Sequence, residues 1–103
     1  MIRHFVLLRF RADVSAETKS GLYGQLRGLQ DHLPGIVAFH GGPNVSVETD
    51  LIRGNLDAFW VDFADEYARD EYLRDQKHQE VGARIVAHTE GGIDGVTVVD
   101  LRF

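Results

Sequence analysis

The ten residues that open the chain leave a small fold few ways to arrange itself. Met1 to Phe10 reads Met-Ile-Arg-His-Phe-Val-Leu-Leu-Arg-Phe and alternates with the period of a β-strand. Ile2, His4, Val6, Leu8 and Phe10 share one face, apolar apart from the histidine. Arg3, Phe5, Leu7 and Arg9 share the other, where apolar and charged groups mix. A polar ring on an apolar face must find a partner, because burying it unpaired costs roughly 1–3 kcal/mol. His4 is therefore either a hydrogen-bonded core residue or part of a pocket wall beneath the sheet. Neither face reads as freely solvated, so helices on one side and a partner subunit on the other would cover the strand.

The rest of the chain supplies those helices. Asp13 or Ser15 can cap a helix, with Glu17 near its positive end. Leu22, Leu26, Leu29 and Leu33 then form one apolar stripe, stopped by Pro34-Gly35. Gly21, Gly24 and Gly28 weaken this helix by about 1 kcal/mol each relative to alanine, or let it approach a sheet closely. Ile36 to His40 reads as a second strand, ended by Gly41-Gly42-Pro43-Asn44, and Ser46 to Asn55 as a polar loop. A third strand runs from Ala58 to Ala64, with Phe59, Val61 and Phe63 on one face and Ala58, Trp60 and Asp62 on the other. Asp65 can cap a helix through about Arg74. A shorter helix follows from about His78 to His88, and a last strand runs from Val96 to Phe103. Strand, helix, strand, strand, helices, strand, joined by right-handed crossovers, gives a ferredoxin-like α+β domain: four antiparallel strands with helices on one face. The open face carries Trp60 and aliphatic side chains, a patch that predicts a two-fold homodimer with its sheets face to face.

Composition narrows the function. The 103 residues suit one domain, residues 1–103, with a thin core that dimerisation would supplement. A net charge of −5 and no basic cluster argue against nucleic acid. The apolar run Phe5–Leu8 is too short for a signal peptide or a membrane span, so a cytoplasmic protein is expected. Without cysteine there is no thiol chemistry, and no group of histidines and carboxylates has metal-ligand spacing. No cofactor is expected.

The opening Ile2-Arg3-His4-Phe5-Val6-Leu7-Leu8-Arg9-Phe10 resembles the start of the stress-responsive A/B barrel (Dabb) domain. Pro34-Gly35-Ile36 with Gly42-Pro43-Asn44 resembles its second strand and turn. Tyr72-Leu73 followed by His78 and Val81-Gly82 resembles its tyrosine-and-histidine segment, and Val98-Val99-Asp100 its last strand. The resemblance implies a ferredoxin-like dimer whose two sheets curl into a barrel. The family includes olivetolic acid cyclase-like proteins, which close a linear polyketide by a cofactor-free aldol reaction. By that likeness His78 is the acid/base, Tyr72 its partner and His4 a pocket residue.

Six residues along an unbroken helix would leave Tyr72 and His78 about 240° apart. Sharing a site therefore requires a break between them. Many family members have His-Pro there; this chain has Asp75-Gln76, and Asp75 can cap a new helix or orient His78. His78 is otherwise a helix-start histidine, and Tyr72 an aromatic core residue. A cavity of about 300 Å³ or more, with both rings converging on it, would favour ligand chemistry. A filled interior would favour a non-catalytic role in assembly or sequestration. A third possibility is a cofactor-free monooxygenase-like barrel. His40 is assigned no role, and His32 and His88 read as helix-end residues. Asp62, Asp65, Glu66, Asp70 and Glu71 read mainly as a solvated helix face with a cap.

Overall fold

A computed structural model describes residues 1–103. Strand β1 covers Ile2–Leu8, and helix α1 covers Ala16–Gly28. Strands β2 (Ile36–Pro43) and β3 (Asp57–Phe63) follow, then helices α2 (Glu66–Arg74) and α3 (Gln76–Val86), and strand β4 (Val96–Arg102). The strands form one antiparallel sheet in the order β2-β3-β1-β4. This is the ferredoxin-like α+β arrangement.

Alternation within the two central strands builds the core. Ile2, Val6 and Leu8 of β1 and Phe59, Val61 and Phe63 of β3 are buried beneath the helices. Leu22, Leu26 and Leu29 meet them from the helical layer, joined by Tyr72, Val81 and Ile85. Strand β4 lies at the sheet edge, and Val98, Val99 and Leu101 are all exposed.

Several boundaries differ from the sequence reading. Strand β1 stops at Leu8 rather than Arg11, because Arg9 turns its amide to the Gly95 carbonyl and its carbonyl to the Glu90 amide. Phe10 keeps only an isolated bridge to Thr89. Helix α1 ends at Gly28, and its stripe continues through a short 3-10 turn at Leu29–Asp31. Ser15, not Asp13, is its cap, accepting the Thr18 amide at 3.0 Å. The glycines of α1 face open space, so they serve no close approach. Strand β2 runs on to Pro43 and carries a bulge between Ile36 and Ala38. Asp62 is not part of a solvated helix face. It lies on β3, 5 % exposed, and accepts a two-pronged hydrogen bond from Arg3 at 2.7 and 2.9 Å.

Candidate active site

The segment between α2 and α3 places the two residues of greatest chemical interest. Asp75 ends α2 in an extended conformation, φ −67° and ψ 130°, and caps α3 at once. Its Oδ2 accepts the His78 amide at 2.9 Å. Its Oδ1 lies 2.6 Å from Nε2 of His32, so the carboxylate ties the new helix to the end of the 3-10 turn that follows α1. An aspartate at the cap thus breaks the helix without proline. It also starts α3 two residues ahead of the expected His78.

The break turns His78 back over Tyr72. Their ring centroids lie 3.8 Å apart, at an interplanar angle of 31°. Tyr72 is 1 % exposed and packs on Phe63, with ring centroids 5.0 Å apart. The Tyr72 hydroxyl and Nδ1 of His78 are both buried without a hydrogen-bond partner. A buried polar group left without a hydrogen bond costs on the order of 1–3 kcal/mol. His4 stands edge-on to Tyr72, 5.9 Å between centroids.

Strand register decides how His4 is satisfied. β1 and β4 pair His4 with Asp100, and Nδ1 of His4 donates to Oδ1 of Asp100 at 2.6 Å. Arg69 on α2 donates to the other carboxylate oxygen at 3.0 Å. The Asp100 carboxylate, itself held by Arg69, therefore fixes the imidazole's orientation. Neither Asp100 nor Arg69 was singled out as a site residue from the sequence. The signal for Asp100 was present, as a lone carboxylate among the valines of the last strand, on the alternation that meets His4.

His4, Tyr72 and His78 together line a cavity of about 220 Å³. Val6, Leu26, Phe59, Ile85, Val86 and Val98 also line it. All three rings line the cavity, but its volume is smaller than about 300 Å³, the lower end for drug-sized ligands. Burial pushes His78 down to about 4, with the neighbouring His4 ring adding to the effect. Near neutral pH its imidazole is uncharged and free to accept a proton. Burial also raises the Tyr72 hydroxyl, which stays protonated and able to donate.

This has a consequence for stability. The unfolded chain takes up a proton on His78 near pH 6.5, the folded chain only near 4, so unfolding binds protons between those values. Acidification through that window should destabilise the fold by on the order of 1–2 kcal/mol, discounted for the ring's partial exposure. Urea melts at stepped pH should show a shallower loss for His78→Gln than for the unaltered chain. Parallel losses in the two would mean that the ring is not desolvated.

The family model of the stress responsive A/B barrel domain matches residues 2–103. The chain belongs to that family. A dimeric ferredoxin-like protein of unknown function from Jannaschia sp. CCS1 is similar to this A/B barrel domain, with 31% identity over 99% of this chain and 98% of that one, and a TM-score of 0.89. A protein from Arabidopsis thaliana is 27% identical over 100% of this chain and 95% of its own, with a TM-score of 0.87. The hydroxynitrile lyase from Passiflora edulis shares the fold at 15% identity, covering 97% of this chain and 90% of its own, with a TM-score of 0.81. No curated protein matches the chain. No helix of the A/B barrel domain is long and apolar enough to cross a membrane.

Proposed function

We propose that this A/B barrel domain binds a small, largely apolar carbonyl compound and carries out cofactor-free acid/base chemistry on it, such as an intramolecular aldol closure. The observation that carries the reading is that Tyr72 and His78, whose hydroxyl and Nδ1 are buried without partners, both line an otherwise largely apolar cavity beside His4. His78 takes the proton from the carbon next to a carbonyl, and the Tyr72 hydroxyl hydrogen-bonds the enolate oxygen that develops. The enolate carbon attacks a second carbonyl of the same molecule and forms the ring bond. The protonated His78 then returns its proton to the new alkoxide, so no proton is gained or lost overall. Its low proton affinity favours that return. His4, held by Asp100, lines the pocket and fixes where the substrate's oxygen can lie.

A second reading, ligand binding without turnover, draws support from the modest cavity volume and from the same weak basicity of His78.

Retro-aldol cleavage of a chromogenic β-hydroxyketone separates the two. For the enzyme, His78→Ala should lower the rate by about 100-fold or more, and Tyr72→Phe by about tenfold, since positioned acid/base groups contribute on that scale. The melting temperature of His78→Ala should stay within a few degrees of the parent. Binding without any cleavage would favour the second reading. A steep fall in melting temperature would make His78 a structural residue.

The homodimer belongs to the same proposal. Phe5, Leu7 and Trp60 lie on the uncovered sheet face beside the exposed Val99, Leu101 and Phe103. The indole N–H of Trp60 is buried there without a partner. The similar protein from Jannaschia is described as dimeric.

A further inference from the structure

Outside the cavity, one trough on the helical side gathers groups that the proposed chemistry does not use. Lys19, Tyr23 and Arg27 follow one another at four-residue spacing along a single face of α1. They face Gly41, Gly42 and Pro43 at the end of β2, and Asp57 at the start of β3. Both glycines line the trough, whose volume is about 420 Å³. A Cβ at Gly41 would come within 3.3 Å of the Tyr23 ring, so that glycine also fixes the ring's position. None of these residues lines the cavity; the Tyr23 and Phe59 rings, 6.2 Å apart, stand between the two hollows.

The charges there are only partly spent. Lys19 donates to Asp57 at 2.9 Å, and Asp57 is 6 % exposed. Arg27 lies over the Phe39 ring at 5.1 Å and has no carboxylate partner. Tyr23 is 7 % exposed, yet its hydroxyl has no hydrogen-bond partner. Burial and the nearby Asp57 raise its pKa, which keeps it a donor. Two cations against one carboxylate leave a single net positive charge beside an unused O–H group.

We propose that this trough is a second binding site, for the carboxylate group of a small organic monoanion. The Arg27 guanidinium presents the paired N–H groups that fit a carboxylate, and the Tyr23 hydroxyl donates to one of its oxygens. A dianion such as phosphate would meet the buried Asp57 with one charge left unbalanced.

Sodium butyrate, titrated at constant ionic strength against sodium chloride, tests this by 1H–15N correlation spectra. The expected result is saturable shifts at Tyr23, Arg27, Gly41 and Gly42. Arg27→Gln should weaken binding about tenfold and Tyr23→Phe a few-fold, in keeping with the loss of charge-assisted and neutral hydrogen bonds. Arg84→Gln, which removes a cation from another surface, should change nothing. Shifts confined to His4, Tyr72 and His78 would place butyrate in the cavity and overturn the proposal, whatever the outcome of the retro-aldol assay. So would equal binding of inorganic phosphate, or unaltered affinity in Arg27→Gln.

Discussion

Phe63→Ala should lower the melting temperature by about 15 °C or more, because emptying a site this well enclosed removes about 3–5 kcal/mol from a fold of this size. Phe63 is wholly inaccessible and sits where three elements meet. It pairs with Ile2 on β1 and Ile36 on β2, and its ring centroid lies 5.0 Å from Tyr72 and 6.2 Å from His4. Little can collapse into the gap, since β1 and β2 are pinned on either side by ladder hydrogen bonds. The loss would spread to the site, because Tyr72 and His4 both rest on this ring. Thermal melts of Phe63→Ala and Phe63→Leu, with the retro-aldol rate, check this. Leucine should restore more than half of the stability. A fall of less than about 5 °C in the alanine variant would show that the helical layer can close over the void.

Trp60→Glu should convert the proposed dimer to a single chain, with light scattering giving the 11.6 kDa of one protomer. The indole stands at the centre of the uncovered sheet face. Its ring lies 4.9 Å from His40 and 6.2 Å from Phe5, and Arg3 lies over it at 5.0 Å. A carboxylate placed between two apolar sheets would be desolvated beside Asp62, an effect of several kcal/mol. That is enough to shift association by several powers of ten. Trp60→Phe, which keeps the apolar surface, should remain dimeric. An unchanged mass for Trp60→Glu would move the subunit contact off this face.

The central strands were legible because they alternate cleanly. Phe59, Val61 and Phe63 could face only one way, and so could Ile2, Val6 and Leu8. The leucine stripe of the first helix was legible too, but not its change of winding at Leu29, which follows from how the chain enters β2. Asp62 was misread because it was grouped with the acidic residues that follow it. Strand alternation, which puts it opposite Arg3, was the better guide. In the candidate site, Tyr72 and His78 stood out only through the family resemblance, since helical periodicity sets them apart. Their meeting depends on one side chain capping one turn. The partner of His4 lies 96 residues away, and only the pairing of the first strand with the last reveals it.

The junction between α2 and α3 differs in kind from one made by an imino acid ring. Burial works against ionisation of Asp75, but the amides of His78 and Lys77 and the ring of His32 outweigh it and hold its pKa below the ordinary value. The kink is therefore strengthened by an ionised oxygen pair, which weakens only when that group takes up a proton. A pyrrolidine hinge would be indifferent to acidity; this one loosens as its carboxylate is neutralised, beneath the stacked phenol and imidazole.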